Sequence, residues 1–159
     1  MTDMLIKLYD LPDGPADQPL AGSAASLVRK PIGPEHDAIV AWVQQTFGDR
    51  WASEARVALT NRPVSLFIAM QGAGLVGFAC YDATARGCVG PIGVHDSARG
   101  AGIGAALLRA ALADMRASGY GYAIAGAVGP KDFFSRVAGA TDIADSTPGL
   151  YAGMFRACD

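Results

Sequence analysis

The chain has 159 residues, of which 51% are apolar and 18% charged, below the ~25% usual in soluble domains. That composition excludes a disordered polymer, predicts one domain over residues 1–159, and suggests that some surface is covered by a second copy in a homodimer. Thirteen basic against fifteen acidic residues give a net charge of −2, so there is no basic field and no nucleic acid is expected as a partner. Residues 4–9 alternate apolar and polar side chains, as a short edge strand does. Residues 10–23, rich in Pro, Gly, Asp and Ala, read as a flexible connection. Residues 1–24 are therefore an N-terminal extension to a core of residues 25–156. Residues 25–30 predict the first central strand. Pro34-Glu35-His36-Asp37 opens a helix, with proline and acids suited to a first turn. Ile39, Trp42, Val43 and Phe47 recur at helical spacing until Gly48.

Residues 53–60 predict a second short helix, capped by Ser53 and stopped by Asn61-Arg62-Pro63. Residues 64–70 and 75–81 form a hairpin around Gln71-Gly72-Ala73-Gly74. The next strand, 88–94, contains Gly90, Pro91 and Gly93, all poor ladder residues. It should be irregular and splayed from a neighbour. The helix predicted over 102–118 carries Ile103, Leu107, Leu108, Ala111, Leu112 and Met115 on one broad face. A strand over 120–128, a helix over 131–138 and a final strand pair, 141–144 with 150–155, complete a mixed α/β or α+β domain. Cys80, Cys88 and Cys158 have no metal-ligand spacing and read as free thiols of a reducing compartment. There is no basic leader and no apolar run near 18 residues, so a cytoplasmic location without a membrane span is expected.

The densest signal is Arg99-Gly100-Ala101-Gly102-Ile103-Gly104-Ala105, placed between a strand and a long helix. Glycines leave backbone N–H groups bare where the helix dipole is positive, which makes an anion cradle. A turn that only fixes packing is the bland alternative. A Walker loop is excluded because Ala105-Ala106 follows Gly104 where Lys-Ser/Thr is needed. A dinucleotide fingerprint is met only weakly, and residues 122–128 offer no acid for a ribose.

Arg99, Gly102 and Gly104 fill the Gln/Arg-x-x-Gly-x-Gly/Ala signature of the GNAT superfamily of N-acetyltransferases, which most of residues 25–156 resemble in order of elements. The resemblance implies a central mixed sheet flanked by helices and splayed at the strand that binds coenzyme A. It implies acetyl-CoA as cofactor, held by Ile92, Gly93 and Val94 on that strand and by the loop from Arg99 through Gly100, Ala101, Gly102, Ile103 and Gly104 to Ala105. The N–H of Val94 is the oxyanion donor in this picture.

Many members of the family carry a Tyr in a phrase like Phe-Tyr-x-Lys-x-x-Gly; here Phe133-Phe134-Ser135-Arg136-Val137-Ala138-Gly139 puts Phe134 in that place. Phe133 and Phe134 are then left to pack against the cofactor, with core packing as the equal alternative, and no acid stands on strand 88–94. His95 follows that strand and is expected to be exposed. Tyr151 is the first choice as proton donor or acceptor contact. Trp51 and Glu54 fall where the resemblance puts a wall of the acceptor pocket: Trp51 as apolar wall, Glu54 for a cationic amine, with core packing and a helix first turn as the plain alternatives. Tyr81 is a further acceptor-side candidate. The function implied is acetyl transfer to a primary amine of a small molecule by direct attack in a ternary complex, without a metal. A non-catalytic acyl-CoA-binding or sensing domain is the alternative.

Overall fold

In the computed structural model, residues 1–12 and 26–157 are described, so most of the predicted connection over 10–23, and Cys158, lie outside the described residues. Strands β2 (Ser26–Arg29), β3 (Leu66–Gln71), β4 (Gly74–Tyr81) and β5 (Val89–Val94) form an antiparallel sheet in that order. A second sheet has the order β6 (Tyr122–Ala125), β1 (Met4–Lys7), β7 (Thr141–Asp142), also antiparallel. The two sheets meet at a single parallel bridge between Cys88 and Ile124. The mixed α/β class is as expected from the sequence.

Period-two alternation decides how each strand divides its side chains. Leu66, Ile68, Phe78 and Cys80 face one cluster with Ile39, Val43, Ala52, Ala55 and Leu59, from helices α1 (His36–Phe47) and α2 (Asp49–Thr60). Ala69, Ala79 and Tyr81 face the other, built on helix α3 (Ile103–Ala117). Leu107, Leu108, Leu112 and Met115 of α3 are at most 1% exposed. Burial of each such side chain is worth about 1.5–3 kcal/mol. Met4, Ile6, Ala123 and Ala125 of the second sheet join the same cluster. Helix α3 therefore holds together two sheets that share almost no ladder. Helix α4 (Lys131–Ala138) spans the predicted residues and ends at Gly139, whose φ is +61°.

Three expectations are corrected. Residues 4–9 are not an edge: β1 is the middle strand of its sheet, paired with β6 on one side and β7 on the other. The final strand pair is absent: β7 has only two residues, and 149–151 is a 3-10 turn. β1 instead lies between β6 and the short β7. Helix α2 begins at Asp49, directly after Gly48 (φ +100°), not at Ser53. Trp51 is consequently a helical residue in the first turn of α2, and Glu54 lies in the second turn rather than at the helix start.

Candidate functional site

From the Cys88–Ile124 bridge, where Ile124 N–H donates to Gly87 O at 2.9 Å, strands β5 and β6 diverge. β5 is bulged: its register against β4 shifts between Ala79–Ile92 and Tyr81–Val89, so Gly90 and Pro91 together oppose one residue. Beyond the bulge, His95 N–H donates to Val76 O at 2.8 Å. Antiparallel ladders alternate bonded and non-bonded pairs. The pairing of Val76 with His95 therefore makes Phe78–Gly93 the next bonded pair and turns the backbone N–H and C=O of Ile92 and Val94 away from β4, toward the gap. Arg99 Nε reaches Val94 O at 3.3 Å from that side. Gly93 is constrained too: a Cβ there would come within 2.6 Å of the Phe47 ring.

The gap continues into the glycine loop. Gly100 and Gly102 have φ of +82° and +79°, a region L side chains avoid. Ala106 N–H is bonded to Gly102 O at 3.1 Å, so the amides of Ile103, Gly104 and Ala105 point out of the helix end. The first turn of α3 carries no acid. This is an anion cradle in both shape and sign. Arg99 steadies it: besides its bond to Val94 O, it pairs with Asp96 at 3.0 Å while remaining exposed. Phe133 packs over the cradle, 3.6 Å from where a Cβ on Gly104 would sit, and its ring meets Phe134 edge to face at 5.2 Å.

Loop and gap open into one cleft of about 1310 Å³, larger than the 300–1,000 Å³ typical of small-ligand pockets. Of the residues singled out from the sequence, Ile92, Gly93, Val94, Arg99, Gly100, Gly102, Ile103, Gly104, Ala105, Phe133 and Phe134 line it, as do Trp51, Glu54 and Tyr151. Two do not. The Ala101 side chain packs against the α3 cluster. Tyr81 is 3% exposed and donates its hydroxyl to Asp114 of α3 at 2.7 Å, so it holds β4 to α3 and leaves the acceptor set. His95 is exposed and binds Ser97 at 2.7 Å through Nδ1, capping the turn before the loop.

At the far end of the cleft, Trp51 stacks on Phe47 at 5.1 Å and meets Phe78 at 6.0 Å, forming an apolar wall. Glu54, one turn along α2, accepts from Thr84 Oγ1 at 2.5 Å. Burial first, then the Glu54 charge, push the Tyr151 phenol above its ordinary value, against a smaller pull from Thr84 and Arg50. Arg50 lies 6.0 Å from the Tyr151 ring centroid. Sequence reading missed Phe47, Arg50 and Thr84. Arg50 had a readable signal, because it sits one helical turn before Glu54, and Phe47 had one as the last apolar residue of α1, just before Gly48 turns the chain. Thr84 had none, since it reaches the site from the loop between β4 and β5. Among the described residues no cluster of His, Cys, Asp or Glu could hold a metal ion, and no helix is long and apolar enough to cross a membrane.

A family model described as the acetyltransferase (GNAT) family matches residues 36–136. Among solved structures, the chain is similar to a GCN5-related glucosamine N-acetyltransferase region of a fungal multi-domain GH3 β-N-acetylglucosaminidase, with 17% identity and a TM-score of 0.71 over 89% of this chain and 19% of that one. It is similar to a GCN5-related N-acetyltransferase from Sphaerobacter thermophilus, with 22% identity and a TM-score of 0.66 over 89% and 48%. A Drosophila protein gives 14% identity and a TM-score of 0.62 over 89% and 47%. At these identities the likeness is one of fold, and this chain spans between 19% and 48% of the length of those three. No curated protein matches it.

Proposed function

The chain belongs to the GNAT acetyltransferase family, and from that premise we propose that it transfers the acetyl group of acetyl-CoA to a primary amine of a small molecule. The observation that carries the reading is the continuity of the diverging β5 edge with the glycine-lined start of α3. An extended amide-bearing arm ending in phosphates fits that run: backbone groups of Ile92 and Val94 for the arm, bare amides of 103–105 for the pyrophosphate. Bound there, acetyl-CoA supplies an activated acyl group.

The chain's own residues divide the remaining work. The Val94 N–H, turned toward the gap, donates to the carbonyl oxygen as charge develops on it, a contribution of about 3 kcal/mol to the barrier when well placed. Glu54 receives the acceptor ammonium and takes one proton, leaving a neutral amine to attack; the second proton, shed by nitrogen as the amide forms, ends on the released thiolate. Tyr151, kept protonated by burial and the Glu54 charge, donates a hydrogen bond to the departing sulfur. A thiol of pKa near 8.5 leaves without full protonation, which suits a site with Phe134 in place of a phenol. Trp51 and Phe47 exclude water from the acceptor side. Direct attack agrees with the setting of Cys88, which is 3% exposed and whose thiol burial holds above the ordinary value, the opposite of a nucleophile's environment.

Release of free CoA thiol in a panel of primary amines tests the reading. Amine-dependent release above the rate with buffer alone supports it. Phe134 in the usual tyrosine place favours the second reading, an acyl-CoA-binding or sensing domain, and tight acetyl-CoA binding with no amine turned over would select it.

A further inference from the structure

The first three residues make an unusual number of bonds to distant segments. Asp3 is 6% exposed, and its two carboxylate oxygens serve two different loops. Oδ1 accepts from Ala127 N–H at 2.8 Å, just past β6, and Oδ2 accepts from Leu150 N–H at 2.7 Å. The Asp3 N–H donates to Ser146 Oγ at 2.9 Å, and its carbonyl accepts from Ile143 N–H at 2.9 Å. Val128 N–H donates to Thr2 O at 2.9 Å, and Thr147 Oγ1 to Met1 O at 3.2 Å.

A buried carboxylate is costly unless its oxygens are bonded. Here two main-chain amides satisfy it, and among the described residues no Lys or Arg pairs with it. The backbone conforms to the arrangement: Ala127 and Gly149 have φ of +46° and +59°, and any side chain at 149 would collide with the Asp3 carboxylate. The turn Gly149–Tyr151 is thereby pressed onto Gly126, where a Cβ would meet Leu150 at 3.1 Å and Tyr151 at 3.2 Å. Residues 147–157 lie outside any strand, so these bonds tie the backbone of the turn that carries Tyr151 to the end of β6, while Arg50 and Thr84 meet its ring and hydroxyl from the other side.

We propose that Asp3 is the positioning residue of the acceptor end, clamping the turn that carries Tyr151 to the end of β6. Its kinetic consequence rests on the acetyltransferase reading; its structural consequence does not. Asparagine has the same shape but one accepting oxygen, and its amide nitrogen would face an N–H donor head-on. Asp3→Asn therefore releases either Ala127 or Leu150.

The test uses the full chain with ¹³C-labelled tyrosine, in wild type, Asp3→Asn, Tyr151→Phe and the double variant. The Tyr151 ring signals, assigned by their loss in Tyr151→Phe, are expected to shift or broaden in Asp3→Asn. With an active amine, kcat/KM should fall about tenfold, the scale of one well-placed hydrogen bond, while the Kd for acetyl-CoA stays within about twofold. In the Tyr151→Phe background, Asp3→Asn should cost less than about twofold, since coupled residues are not additive. Unmoved Tyr151 signals in a folded Asp3→Asn variant, or the full loss of rate in the Tyr151→Phe background, would overturn the proposal. If Asp3→Asn does not fold, Gly149→Ala presses on the same carboxylate from the other side and must move the same signals; failure to do so also overturns it. Failure of the wild type to acetylate any amine would refute the acetyltransferase reading and leave the ring signals to judge Asp3.

Discussion

Most of the proposed cofactor-facing half of the cleft comes from one stretch, residues 91–105, running off a bulged strand into the start of α3, with Phe133 and Phe134 of α4 packed over it. The proposed acceptor-facing half comes from Phe47, Arg50, Trp51, Glu54 and Thr84 and from Tyr151 in the turn Gly149–Tyr151, which Asp3 holds. One half is therefore set by local backbone conformation: two glycines with positive φ, a helix end and one bulge. The other is set by long-range packing, in which a terminal strand, a helix and a loop must all be in register. A single substitution should break the first half cleanly and the second half only in part.

The largest effect is expected at the cradle. Gly104→Glu places a carboxylate among the bare amides at the start of α3, and should weaken acetyl-CoA binding at least about 100-fold, or about 2.7 kcal/mol, in calorimetry on a folded variant. Near-normal affinity would remove the glycine loop from the account. Next is Glu54→Gln, which should lower kcat/KM for the amine about 100-fold, the lower range for a lost proton acceptor, with acetyl-CoA affinity unchanged. A parallel loss of affinity would mean that the two halves are not separable.

Tyr151→Phe should cost about tenfold in turnover, one hydrogen bond's worth. Its phenol is raised above the ordinary value near 10. Only the protonated form donates, so the wild-type rate should show no loss through Tyr151 ionisation between pH 7 and 9. A descending limb in that range that disappears in Tyr151→Phe would contradict the assignment.

The smallest effect lies away from both halves. Arg29 binds both Glu35 oxygens, at 2.8 and 2.6 Å, and with the Ile32 N–H holds that carboxyl down to about 2. A folded value below the unfolded one, roughly 4.3, gives stability that is present above pH ~4.3 and lost as pH falls toward 2. The difference in Tm between wild type and Glu35→Gln should shrink across that window, with no change in ligand binding at neutral pH. A pH-independent difference would show that the pair contributes nothing through its charge.

The contrast between halves also explains what the sequence disclosed. β5 could be read as irregular because Gly90, Pro91 and Gly93 each obstruct a ladder, and the cradle could be read because three glycines precede an apolar helix. The acceptor half was partly hidden. Alternation in Met4–Lys7 reports which faces are buried, and says nothing of whether one or both edges are paired. β1 therefore read as an edge strand although it is paired on both sides. Leu150, Met154 and Phe155 suggested a strand, yet they are 38%, 37% and 86% exposed, while Met4 and Ile6 in the strand beside β6 are 2% and 0%. Tyr81 was misplaced because a strand pattern does not name the helix on each face. Trp51 and Glu54 line the cleft, but the start of α2 was set at Ser53 when Gly48 had already turned the chain.

Isothermal titration of the purified wild-type chain with acetyl-CoA, alongside NAD and ATP, tests the central claim most directly. Selective micromolar binding of acetyl-CoA is expected. A well-folded sample that binds none of the three, or binds NAD or ATP more tightly, would contradict it.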